Sequence, residues 1–290
     1  MHGFPESWYS WRHQLTALAD AGYHAVAPDQ RGYGGTGGPE AVDQYSILHL
    51  AGDALGLIPA LDAGTAVVVG HDWGSPVAWH CALLRPDLVR GVVGLSVPPY
   101  QRSDRPTLTA LRDHLGDAHY MVYFQQHGIP EAELGRDLPT TFRLLLAGRS
   151  ALGPSGLPLL PEGGGFLDLF KERPQLPAWI TEEDIAFFAA EFRAGGFTRP
   201  LHWYRNLDRN WELTAPWHRA RIEPPALLIA GEKDMVVSTP AAREGIDGLR
   251  SFVPALDEVL WLPDCGHWTQ QERPDEVNRA LVRFLQRLAD

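Results

Sequence analysis

Short apolar runs alternate along the chain with longer stretches whose apolar positions recur every three or four residues. Trp8, Trp11, Leu15 and Leu18 fall on one face of a helix predicted over Ser7–Asp20, and Gly22 ends that pattern. Tyr23–Pro28 predicts a short strand and Ser46–Leu61 a helix. Ala66–Val69 is short, apolar and β-branched, the composition of a strand buried on both faces. A helix over about Ser75–Leu84 and a strand over Gly91–Val97, stopped by Pro98-Pro99, come next. Strand, helix, strand, helix, strand predicts a parallel sheet with right-handed crossovers. The alternation returns after Pro224-Pro225, with strands at Ala226–Ala230 and Val259–Leu262 and an amphipathic helix over Arg273–Leu288.

Between these halves the pattern changes. From Tyr100 to Pro216 the chain is aromatic, punctuated by Pro and Gly, and without a strand pattern. Helices are expected at Arg105–Leu115, Leu138–Ala147 and Thr181–Arg193, the last opened by the capping-box-like Thr181-Glu182-Glu183-Asp184. The expected division is therefore a core in two parts, 1–99 and 217–290, with a helical cap inserted over 100–216.

Composition narrows the class. A chain of 290 residues with 44% hydrophobic and 21% charged residues is expected to be an ordinary globular protein. A net charge of −11 argues against nucleic acid and anionic membranes as partners. No apolar run approaches the ~20 residues of a membrane span. Two cysteines, Cys81 and Cys265, do not make a disulfide framework, and Cys81 reads as an inert core thiol. A cytoplasmic location is the expectation.

The candidate chemistry begins where the apolar strand stops. Gly70-His71-Asp72-Trp73-Gly74 has the G-x-nucleophile-x-G spacing of a nucleophile elbow, with Asp in place of the usual Ser. A carboxylate nucleophile attacks saturated carbon and leaves an alkyl ester on the protein. The same residues could also be a strand followed by an Asp helix cap. Asp234 and His267 likewise stand just after predicted strands, where α/β proteins gather their catalysts. Each alone has a plain reading, a turn cap or a solvated loop histidine. Together they run nucleophile, acid, histidine, the α/β-hydrolase order. Upstream, His2-Gly3-Phe4-Pro5 has the form of an oxyanion loop. Gly32, Gly34 and Gly37 match G-x-G-x-x-G, but Gly38-Pro39 follows where a dinucleotide site needs a helix, so a glycine-rich active-site loop is expected.

These motifs, with Asp29-Gln30-Arg31-Gly32-Tyr33-Gly34, Tyr120-Met121-Val122-Tyr123-Phe124-Gln125, Trp203-Tyr204-Arg205-Asn206 and Gly266-His267-Trp268, resemble the α/β-hydrolase-fold epoxide hydrolases of the soluble type along the whole chain. The resemblance implies that fold, a mostly parallel sheet flanked by helices, and a role for each matching position. Asp72 attacks an epoxide carbon, and Tyr120 and Tyr204 hydrogen-bond the epoxide oxygen and donate a proton. His267, oriented by Asp234, activates water against the ester, while the amides of Phe4 and Trp73 hold the oxyanion. The product is a vicinal diol. No metal or organic cofactor is implied, and the partner is a small hydrophobic epoxide. Trp73, Tyr123 and Trp203 are expected near the substrate; Tyr123 shares a helical face with Tyr120 and is its rival as proton donor, with core packing as its other role.

The alternatives are a haloalkane or haloacid dehalogenase on the same fold, and a non-catalytic small-molecule-binding homologue. Trp73 supplies half of a halide clamp, but Phe4 has no side-chain donor for the other half, and Arg does not follow the nucleophile. Strands that precede the oxyanion loop in the family have no counterpart before His2, which leads to the expectation of a missing central strand, a start further upstream, or a homodimer through an exposed edge.

Overall fold

A computed structural model of the chain describes residues 1–150 and 156–288. In chain order the elements are α1 (Arg12–Asp20), α2 (Ile47–Ala60), β1 (Ala66–His71), α3 (Gly74–Leu84), β2 (Val89–Leu95), α4 (Thr107–Leu115), α5 (Tyr120–Tyr123), α6 (Ile129–Gly135), α7 (Leu138–Phe142), β3 (Arg149–Ser150), β4 (Phe170–Lys171), α8 (Glu182–Gly195), α9 (Thr198–Arg205), α10 (Leu207–Leu213), β5 (Ala226–Gly231), α11 (Pro240–Asp247), β6 (Leu256–Leu262), α12 (Thr269–Glu272) and α13 (Pro274–Arg287). They form two compact units: Met1–Gln30 with Ile47–Arg102 and Trp217–Asp290, and Arg31–Ser46 with Ser103–Pro216.

The first unit holds a parallel sheet in the order β1-β2-β5-β6. One face carries Val93, Leu95, Leu227, Ile229 and Leu262, packed against Trp11 and against Val277, Ala280, Leu281 and Phe284 of α13. Those α13 positions recur at helical spacing, so a single stripe meets the sheet. Each large side chain buried there stabilises the fold by roughly 2 kcal/mol. On the other face α3 lies so close to β2 that a Cβ at Gly94 would stand 2.5 Å from Trp79.

Two strand expectations need correction. Ala66–Val69 is half-buried rather than covered on both faces: among the described residues β1 ends the row of strands, and Met1 meets its other edge at Val69 and His71. Tyr23–Pro28 forms no strand. The Tyr23 N–H closes the end of α1 on the Leu18 carbonyl at 2.9 Å, with Gly22 at φ 85°, and the Gln30 N–H goes to the His2 ring. The first amide of the segment is thus taken by a helix end, and Val26 is exposed.

The second unit is helical apart from the short β3–β4 pair. α8 starts on a reciprocal cap, in which Thr181 Oγ1 accepts the Asp184 N–H at 3.2 Å and Asp184 accepts the Thr181 N–H at 2.8 Å. The helix expected over Leu138–Ala147 is α7 followed by a more loosely wound π-helical turn at Arg143–Ala147. Helix α9, which no periodic signal announces, packs its aromatic face inside the unit: Trp203 is fully buried.

The β1–α3 turn is the tightest place in the first unit. A Cβ on Gly70 would stand 1.9 Å from the Gly74 carbonyl oxygen. Gly70→Ala is expected to destabilise the protein by about 2 kcal/mol or more, seen as a lowered midpoint in thermal unfolding. A surface exchange such as Gly52→Ala, in open space on α2, should leave it unchanged or raised.

Candidate active site

The turn from β1 into α3 leaves Asp72 at φ 50°, a conformation that L residues seldom adopt. Its side chain stands beyond the carboxyl end of the strand, at the start of a helix whose first amides have no partners within the helix. Asp72 Oδ1 accepts the Phe4 N–H at 2.7 Å. Asp72 Oδ2 lies 3.3 Å from His267 Nε2. Trp73, whose amide is expected to be the second oxyanion donor, is the N-cap of α3 and is buried.

On its other side the His267 ring meets Asp234, with Nδ1 3.0 and 3.1 Å from the two carboxylate oxygens. Asp234 follows β5 by one turn and is fully buried, and its Oδ1 also accepts the Val236 N–H at 2.9 Å. His267 and Asp72 keep 17% and 16% of their side-chain surface, so these two alone of the three can meet a small molecule. Burial by itself lowers the His267 pKa, but the charges of Asp234 and Asp72 and their hydrogen bonds outweigh it and hold the ring well above the usual histidine range. Burial by itself raises Asp72, and the hydrogen bond and charge of His267, the charge of His71 and the Phe4 amide reverse this and leave it below the usual range. Both directions favour the charged forms, Asp72 as carboxylate and His267 as imidazolium.

A second layer of polar groups holds this arrangement, and nothing local in the sequence assigns it. Glu6 is fully buried. Its Oε2 faces the His71 Nδ1 at 2.8 Å and accepts the Gly3 N–H at 3.1 Å, and its Oε1 accepts the side-chain amides of Gln270 and Gln271 at 3.0 and 3.1 Å. His71 Nε2 in turn lies 2.8 Å from the His267 carbonyl. Both ring nitrogens of His71 thus face oxygens. Ser96, at φ 68° just past β2, donates its hydroxyl to the same carbonyl at 2.7 Å. His2 accepts the Gln30 N–H on Nε2 at 3.0 Å, which sets the loop that carries Phe4. The one sequence signal for this layer is the polar run Thr269–Glu272 directly after Trp268, where an exposed segment would be the plain reading.

In the second unit, taken by itself, Tyr120 and Tyr204 lie with ring centroids 6.1 Å apart. Gln125 ties their helices together, donating to the carbonyls of Met121 and Tyr204 at 2.8 and 3.1 Å. Tyr123 points elsewhere: its hydroxyl donates to Glu133 at 2.7 Å and its ring is buried. Trp203 is taken up inside the unit, with its indole N–H on the Arg31 carbonyl at 3.0 Å and its ring against Tyr33. Gly32, Gly34 and Gly37 all have positive φ and no helix follows them, so the G-x-G-x-x-G match is a loop. Among the described residues no cluster of three or more His, Cys, Asp or Glu could hold a metal ion, and no helix is long and apolar enough to cross a membrane.

A family model described as the alpha/beta hydrolase fold matches residues 1–274. The chain is 46% identical to Epoxide hydrolase A of Mycobacterium tuberculosis, over 98% of this chain and 88% of that protein. It is 42% identical to Epoxide hydrolase 3 of Siraitia grosvenorii, over 98% and 90%. The crystal structure of Epoxide Hydrolase A from Mycobacterium thermoresistibile superposes with a TM-score of 0.89 at 45% identity, covering 98% of this chain and 89% of that one. A parallel sheet with an aspartate at a glycine-flanked turn, and relatives so named across nearly its whole length, place the chain in the α/β-hydrolase-fold family, among the epoxide hydrolases.

Proposed function

We propose that the protein hydrolyses small hydrophobic epoxides to vicinal diols through an ester on Asp72. The observation that carries this reading is the division of the Asp72 carboxylate: one oxygen sits on the Phe4 amide and the other faces the His267 ring. The names of the relatives agree with it. Oδ2 attacks an epoxide carbon, the C–O bond of the ring breaks, and the departing alkoxide takes a proton. Tyr120 and Tyr204 supply that proton and hydrogen-bond the oxygen; a phenol is neutral at pH 7 and far more acidic than the alcohol being formed.

Oδ1 then becomes the ester carbonyl. Water attacks its carbon, His267 takes the water proton, and the negative charge gathers on the oxygen that the Phe4 amide already holds, with the Trp73 amide as second donor. The bond from carbon to Oδ2 breaks, the departing oxygen takes the proton held by His267, and Oδ2 leaves with the diol; the new Asp72 carboxyl then gives its own proton to the ring. Asp234 keeps the ring oriented and stabilises the imidazolium.

The order of events has a built-in electrostatic change. While Asp72 is a carboxylate, it helps keep His267 protonated. Esterification removes that charge and its hydrogen bond, the ring's pKa falls, and Nε2 gives its proton up to the tyrosinate left by ring opening, which frees it to act as base.

Two outcomes are expected. In a single turnover with an aryl epoxide in ¹⁸O-labelled water, mass spectrometry should find unlabelled oxygen in the first diol and label in Asp72; label entering the diol directly would remove Asp72 as nucleophile. In rapid-quench experiments across pH, decay of the ester should be slow while His267 is protonated and rise to a plateau. Its midpoint should lie below the His267 titration midpoint of the resting protein followed by NMR. Coincident midpoints would sink the proposed coupling.

A further inference from the structure

We propose that Glu272 is a positioning residue for His267, an inference that rests on the reading of His267 as the base in ester hydrolysis. Its carboxylate straddles the histidine. Oε2 accepts the N–H of Gly266 at 2.8 Å, and Oε1 accepts the N–H of Trp268 at 3.0 Å. These are the residues immediately before and after His267, so one planar group sets the amides on both sides of it.

The fit is close. A Cβ on Gly266 would stand 2.8 Å from Glu272 Oε1, so any larger residue there would push the carboxylate aside. Glu272 returns its own N–H to the Trp268 carbonyl at 2.8 Å, closing the single turn of α12. Trp268 packs edge-on against the His267 ring with centroids 4.8 Å apart. The carbonyl of His267 is held separately, by His71 and Ser96. Together these contacts pin the peptide groups around the histidine before its side chain makes any contact.

Why two carboxylates, Asp234 on the ring and Glu272 on the backbone? Asp234 aligns the imidazole about its own axis, but it cannot fix where the ring's far nitrogen stands. That position follows from the backbone. The first chemical step uses Asp72, which the Phe4 amide and its own turn fix independently. The second step needs Nε2 to aim a water at the ester carbon. Loss of the Glu272 clasp therefore falls on the second step.

Glu272→Gln keeps the shape and one acceptor but turns an NH₂ toward one of the two backbone donors. Ester formation and decay would be followed in single turnovers by mass spectrometry of acid-quenched protein. Decay is expected to slow about tenfold while formation stays within about twofold. In the steady state kcat and KM should then fall together, with kcat/KM unchanged, a split that general destabilisation does not produce. Glu272→Asp, one methylene too short to span both donors, should show the same split and serves if the first variant does not fold. Equal slowing of both steps, or wild-type decay in a folded variant, overturns the positioning role while leaving the hydrolase reading intact. Failure of the wild-type protein to form the ester overturns both.

Discussion

How closely two stretches of backbone can approach one another at Gly70 and Gly74 governs this end of the sheet. Strand β1 must become helix α3 within three residues, and a single methyl group on Gly70 would collide with the Gly74 carbonyl. The clearance continues outward. A Cβ on Gly74 would meet the Met1 carbonyl at 2.2 Å, and one on Gly3 would meet Asp72 Oδ1 at 2.3 Å. Three glycines from two distant stretches thus let bare backbone close around one carboxylate. The left-handed conformation of Asp72 and the short bond to the Phe4 amide both follow from that packing, and its strain is carried by the surrounding fold.

Beneath this sits a charge that water does not reach. An isolated buried carboxylate costs several kcal/mol, and Glu6 offsets that with four donors spread over both its oxygens. The hydrogen bonds and the charge of His71 pull the Glu6 pKa below the usual range although burial pushes it up. The chain Glu6, His71, His267 carbonyl links the oxyanion loop to the histidine loop through groups that never meet solvent. Both loops thus rest on one chain of buried hydrogen bonds as well as on packing.

Much of this was readable from short-range pattern. The elbow shows because its glycines must flank Asp72 at fixed spacing. Asp234 and His267 show because each follows an apolar run that can only be a strand end. The parallel sheet and the closing helix α13 follow from periodicity. Tyr23–Pro28 has strand composition but forms no strand, because a strand is a property of a partner as well as of composition; its first amide closes the end of α1. The even burial expected of β1 failed for the same reason, since position within a sheet is not encoded locally. Glu6 was invisible because a buried carboxylate cannot be told from a surface one until its donors are known. Helix α9 carries Pro200 and aromatic residues in place of a regular polar face, and becomes helical where it can bury Leu201 and Trp203.

The donors that satisfy Glu6 lie 264 and 265 positions further along the chain. Contacts of such span are slow to form because the chain must lose so much freedom to close the loop. During synthesis the amino-terminal sheet strands and α3 can collapse early, yet the carboxylate beside them has no complete set of partners until residues 270 and 271 have been made. Until they are in place the Oε1 of Glu6 lacks both of its donors, so the burial of that carboxylate is completed from the far side of the sequence.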